Sequence, residues 1–214
     1  MFNATCLLGL LVSLLVISPM FPDITIAKDG DASLEIRWIL DGPLPDETNK
    51  WFRSLPIPQG PPEKPQIHTY LAARDAPYVG VKFREDELEI KLKESSTPIK
   101  ALNGDLKGKA EVWRKWDWKL KEPAASKGKK SVAVIKDRKQ KTDGACSIEI
   151  TKLQIGDKGW WTLAFIINSD KPQASDLVTC VDKNMKSYQS NLPEGSRSLS
   201  YPEWLLKVLD EDNM

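Results

Sequence analysis

Charged residues recur along this sequence as short ordered groups: Glu35/Arg37, Lys82/Arg84, Glu89/Lys91, Glu111/Lys115, Lys136/Arg138, and Glu149. Two residues apart on a β-strand lie on the same face, so most of these groups put both charges on one side. Lys and Arg suit anionic oxygens, and Arg matches phosphate with a bidentate fork. Glu supplies the hard oxygen that a divalent cation prefers. If such faces looked into a common interior, the charges would have to pair with one another or with a multivalent ligand. A polyphosphate carrying metal ions would answer both signs. The ordinary orientation of an alternating strand is the reverse, with charges in water and apolar side chains inside. That arrangement would make a lipocalin-like barrel around an apolar ligand.

The elements that must position these charges are mostly strands. Leu34–Trp38 alternates apolar with charged residues, as does Val79–Arg84, and Leu88–Lys93 sets three aliphatics against three charges. Further strands are expected at Ala110–Trp118, Ser131–Lys139, Cys146–Ile155 and Trp160–Ile167, seven in all. Glu85-Asp86-Glu87 is short enough for a tight hairpin turn. The bulky Trp38, Phe83 and Trp116 on the opposite faces suit packing beneath outer helices, which favours charges turned inward. Helices look few. Trp51, Phe52 and Leu55 share one face of Pro45–Leu55, and Leu177, Val181, Met185 and Tyr188 follow helical spacing after a cap at Ser175 or Asp176. Ser200-Tyr201-Pro202-Glu203 has the form of a capping box. Five prolines between Arg53 and Gln66 predict an irregular loop, and Leu120–Lys130 reads as a basic loop whose Lys127–Lys130 cluster is solvated. The first 22 residues carry no charge. Their apolar run of about 12 residues (Cys6–Ile17) is shorter than the roughly 20 that span a bilayer. Residues 1–32 are therefore read as a signal, anchor or extension, residues 33–209 as the folded domain and 210–214 as a tail. The compartment stays open between export or membrane tethering and the cytoplasm.

Composition narrows the function classes. Lys plus Arg (31) nearly cancels Asp plus Glu (30), which argues against a nucleic-acid partner. A single histidine, His68, excludes His-rich metal sites, and no nucleophile motif accompanies it, so a structural or exposed role fits it best. Cys6, Cys146 and Cys180 form no CxxC pair; Cys146 and Cys180 read as buried small hydrophobes, or as a bonded pair in an exported chain. Trp113, Trp116 and Trp118 alternate with Arg114, Lys115 and Lys119, a pattern that fits core packing better than base stacking.

The collinear order of these pieces resembles the CYTH family, the triphosphate tunnel metalloenzymes that include thiamine triphosphatase, inorganic triphosphatase and class IV adenylate cyclase. The resemblance runs from about Leu34 to Leu206. It is carried by the E-x-R of Glu35 and Arg37, the K-x-R of Lys82 and Arg84, and the E-x-K of Glu89 and Lys91. Glu111 with Arg114 and Lys115, the K-x-R of Lys136 and Arg138, Glu149, and a closing Ser200–Leu205 segment follow in order. The resemblance implies a mainly β (α+β) fold, an antiparallel eight-stranded tunnel-like barrel with a few flanking helices. It implies phosphate grips at Arg37, Lys82, Arg84, Lys91, Arg114, Lys136 and Arg138. It also implies Mg²⁺ or Mn²⁺ held by Glu35, Glu89, Glu111 and Glu149, and metal-assisted attack of water on a small triphosphate or polyphosphate compound. The sequence departs from the family at two places. The opening strand of the family reads E-x-E-x-K, where this chain has Glu35, Arg37 and Ile39. The last core strand lacks the usual acid in Ala164–Ile167. With two carboxylates gone, a second reading is a non-catalytic polyanion- or organophosphate-binding protein with a degraded metal site.

Overall fold

The structure is a computed structural model that describes residues 30–60, 64–120 and 131–211. The apolar N-terminal segment and the basic loop from 121 to 130 lie outside the described residues. Eight strands, all paired antiparallel, close into a barrel: β1 (Asp31–Asp41), β2 (Gln66–Leu71), β3 (Val79–Arg84), β4 (Glu87–Ala101), β5 (Leu106–Lys119), β6 (Ser131–Asp143), β7 (Cys146–Ile155) and β8 (Lys158–Asn168). Their order around the barrel is β1-β5-β4-β3-β2-β6-β7-β8. Seven of these carry the strong alternation seen in the sequence; β2 does not. The β3–β4 hairpin turns at Glu85-Asp86, with Glu85 in the left-handed region at φ 50°.

The alternation explains which face goes where. Leu34, Ile36 and Trp38 of β1 point outward into a core with Ile148 and Ile150 of β7 and Leu163 and Phe165 of β8. Two helices cover that core. Helix α1 (Asp46–Ser54) contributes Trp51 and Phe52, and α2 (Ala174–Met185) contributes Leu177, Val181 and Met185. The cap of α2 is Gln173, not Ser175 or Asp176; Asp176 is the residue reaching back to close its capping box. Phe83 and Trp116, expected under helices, are only partly buried and belong to neither core. On β5 it is Leu106 and Ala110, toward the other end of the strand from Trp116, that pack into the helix-covered core, and β3 gives that core no residue.

A second apolar cluster occupies one end of the barrel. The inward faces of β1, β2, β6, β7 and β8 turn from charged to apolar there, with Ile39, Tyr70, Val134, Leu153 and Trp160. Against them packs α3 (Tyr201–Glu211) through Trp204, Leu205 and Val208. The capping box read from the sequence forms: the Glu203 carboxylate accepts from the Ser200 amide at 3.0 Å, and the Glu203 amide donates to the Ser200 hydroxyl at 3.5 Å.

Cys146 on β7 and Cys180 on α2 are joined by a disulfide with Cα atoms 6.0 Å apart. It ties the helical cover to the barrel across 34 residues of chain. Closing a loop of that length removes unfolded-state entropy worth about 3–4 kcal/mol. Reduction, or Cys180→Ser, should lower the urea unfolding free energy by about that much, and the melting temperature should fall in dithiothreitol.

Candidate functional site

The charged faces look inward. They line a cavity of about 810 Å³ that adjoins a second chamber of about 290 Å³, and Lys82, Glu89, Lys115, Lys136 and Arg138 line both. The charges-out alternative, with an aliphatic interior, is thereby overturned.

At the centre is Arg37 of β1, 7% exposed. Its Nη1 donates to Glu149 Oε1 at 2.7 Å and to Thr162 Oγ1 at 3.2 Å, and its Nη2 donates to Glu35 Oε2 at 3.1 Å. The Tyr201 ring lies 4.7 Å from the guanidinium carbon, and the Tyr201 hydroxyl accepts at 3.4 Å. Strand register sets this up: Arg37 faces Ala164 on β8, and Ala164 faces Glu149 on β7, so a long side chain reaches over a small one. Burial by itself would raise the Glu149 pKa, but Arg37, Lys136 and Arg138 outweigh it and hold this carboxyl well below the usual range. Glu35 is lowered in the same way by Lys91 and Arg37, against burial.

Around this centre, Lys91 donates to Glu35 Oε1 at 3.3 Å and Lys82 to Glu89 at 2.7 Å, directly across the β3–β4 ladder. Burial, partly offset by Glu89, brings Lys82 down to about 8. Arg138 stands 3.8 Å from Glu149. Lys136 differs from all of these. It is 8% exposed, has no carboxylate within 4 Å among the described residues, and lies 4.0 Å over the Tyr201 ring. Burial pulls its pKa down to about 7, opposed by Glu149 and aided by Arg37 and Arg138. Its ammonium is thus the interior cation with the least compensation.

Glu111 lines the large cavity but belongs to a separate network. It accepts from Lys93 at 3.0 Å, with Lys109 at 3.9 Å, and both lysines also bind Glu203 of α3. Arg84 lines the smaller chamber and pairs with Glu87. The expectation for Arg114 is corrected. With Glu111, Trp113 and Lys115 turned inward, residue 114 is of the opposite parity, and its guanidinium goes to Glu94 at 2.6 Å and the Gly30 carbonyl at 3.1 Å. Lys115 holds the inward place instead.

His68 was expected to be structural or exposed. It is buried, faces the smaller chamber from β2, and donates through Nε2 to Gln66 Oε1 at 3.1 Å. Burial, together with Lys136, Lys82 and Arg84, drives its pKa down to about 3, so the ring is neutral at physiological pH. Tyr201, which no charge pattern singled out, is the aromatic floor under both Arg37 and Lys136.

The four carboxylates expected to hold Mg²⁺ or Mn²⁺ all line the cavity. Each is already paired with a cation: Arg37 and Lys91 on Glu35, Lys82 on Glu89, Lys93 on Glu111, and the same Arg37 on Glu149. Among the described residues, no group of three or more His, Cys, Asp or Glu side chains converges as a metal cage. A hard divalent cation needs several oxygens free to turn toward it; this donor set does not fit one.

No protein-family model and no curated protein sequence matches this chain. Among solved structures, it is similar to a conserved hypothetical protein from Pyrococcus furiosus, with TM-score 0.51 and 13% identity over 82% of this chain and 98% of that one. It is also similar to the PH1012 protein from Pyrococcus horikoshii OT3 (TM-score 0.49, 12% identity, 81% and 98% covered). A third is the Hippeastrum protein HpAC1, described with a dominant triphosphatase activity (TM-score 0.44, 11% identity, 73% and 87% covered). The first of these likenesses is one of fold: a closed antiparallel barrel of eight strands.

Proposed function

We propose that the barrel interior binds a small anion of the polyphosphate class, a triphosphate or an organic phosphate compound. The observation that carries this reading is a local surplus of positive charge at the centre of the cavity. Five cations (Arg37, Lys82, Lys91, Lys136 and Arg138) gather around three carboxylates (Glu35, Glu89 and Glu149), while Glu111 is balanced apart from them with Glu203, Lys93 and Lys109, and Asp31, Lys115 and Asp170 line the same cavity elsewhere. The central groups are buried or half-buried, so an anion that supplies several oxygens at once replaces lost hydration with charge-assisted hydrogen bonds. Such groups converge from five different strands, which favours a compact multivalent anion over an extended one.

Metal-dependent hydrolysis of the bound triphosphate is the second reading. In its favour, Glu35, Glu89, Glu111 and Glu149 all border the same cavity as the cations. Against it, those carboxylates are already paired. Glu89 is held at about 2, where Lys82 and Lys91 outweigh burial, and is a weak base. Isothermal titration with tripolyphosphate, followed by a phosphate-release assay in Mg²⁺ and Mn²⁺, separates the readings. Saturable one-to-one binding without release is the expected result. Release with turnover would favour the hydrolase, and no binding would remove both.

A further inference from the structure

We infer that the tunnel takes its anion without a divalent cation, the Arg37 guanidinium being the resident positive charge that Glu35 and Glu149 hold. This inference rests on the polyanion reading above and concerns how that site is assembled.

The geometry points there because the oxygens of the central carboxylates are already engaged. Glu149 Oε1 accepts from Arg37 at 2.7 Å and from Thr151 Oγ1 at 3.0 Å, while its Oε2 faces Arg138 at 3.8 Å. Glu35 Oε2 accepts from Arg37 at 3.1 Å and its Oε1 from Lys91 at 3.3 Å. A metal ion entering between these two glutamates would have to displace a guanidinium that cannot lose its proton. That guanidinium is pinned from other sides by Thr162 and the Tyr201 ring. An ion that settled beside it instead would sit within a few ångströms of a like charge that is itself buried, where repulsion is weakly screened. The remaining glutamates offer no other centre, since Glu89 and Glu111 face separate lysines. What Arg37 leaves open is an anion site: among the described residues Lys136 has no carboxylate within 4 Å, and Arg138 and Lys82 border the same space. The anion then balances the cation surplus directly, and no ion is needed to bridge it to the carboxylates.

The two arrangements predict opposite signs for one substitution. If Glu35 were a metal ligand, Glu35→Gln would weaken anion binding. With Arg37 as the resident cation, Glu35→Gln keeps an acceptor for Arg37, removes a negative charge from the cavity, and should tighten binding about threefold or more. The test titrates tripolyphosphate into the full chain in EDTA and in excess Mn²⁺, titrates Mn²⁺ alone into the protein, and repeats the EDTA series with Glu35→Gln. The inference expects binding in EDTA, weaker apparent binding in Mn²⁺ because the free metal sequesters the anion, no heat from Mn²⁺ alone, and tighter binding by Glu35→Gln. Binding that appears only with Mn²⁺, saturable Mn²⁺ binding to the protein alone, or loss of affinity in Glu35→Gln would overturn it. Failure to bind in every buffer would sink the polyanion reading itself, a distinct result.

Discussion

Lys136→Met should cut tripolyphosphate affinity by roughly 10- to 100-fold, the loss of one charge-assisted contact of about 1.5–3 kcal/mol. The same variant should fold at least as stably as the parent. Lys136 is a buried cation with no carboxylate within 4 Å among the described residues, and removing an uncompensated buried charge relieves a desolvation penalty. A merely structural lysine would give the opposite pairing, with stability lost and affinity kept. The pH profile adds a second readout. The empty-tunnel ammonium is held at about 7, by burial above all, and a bound anion raises that value. Affinity should therefore fall as pH climbs from 7 toward 9, by up to tenfold per unit, with Lys82 contributing near its value of about 8. In Lys136→Met the fall should begin later, at the Lys82 step. Stability of the empty protein runs the other way. The folded pKa lies below the unfolded value, so the unfolded chain holds more protons between about 7 and 10.5, and this group's contribution to stability rises with pH across that window.

Arg37→Met should destabilise the chain by about 3–5 kcal/mol, because it strands two buried carboxylates together. Glu35 and Glu149 are 7% and 4% exposed, and within 4 Å they would keep Lys91 on Glu35 at 3.3 Å and Arg138 on Glu149 at 3.8 Å, with Lys136 farther off. Urea unfolding measures the loss. The double variant with Glu149→Gln should recover most of it, since one negative charge then remains against two nearby cations. The deficit of the single variant should also shrink as pH falls toward 5, because carboxylates deprived of Arg37 take up protons more readily than in the parent. A loss below about 1 kcal/mol, or no recovery in the double variant, would mean that Arg37 is not the keystone of the cluster.

Much of this architecture can be read from residue order, and the exceptions have physical causes. Leu88–Lys93 shows its two faces because each is chemically uniform, so both the strand and its inward charges follow. Strand β2 hides. Its inward side is Gln66, His68 and Tyr70, while Ile67 on its outer side is 63% exposed; neither side has a clear polarity, and no helix covers it. Arg114 was the expected grip with Lys115 a neighbouring charge, and only the parity fixed by Glu111 decides which of them turns inward. The Arg37–Glu149 contact joins residues 112 apart, through the register of three strands that no local pattern specifies. Tyr201 announced itself as part of a helix start, and its meeting with Arg37 and Lys136 depends on α3 filling one end of the barrel.

The seams of the wall are unequal. Strands β4 and β5 are zipped along nearly their whole length, while β2 and β3 meet only at Thr69–Phe83, Tyr70–Lys82 and Leu71–Val81. The disulfide and the helical cover brace the far side, at β7 and β8. The wall is therefore expected to breathe first at its shortest seam, between β2 and β3, beside the cation that Lys82 turns inward.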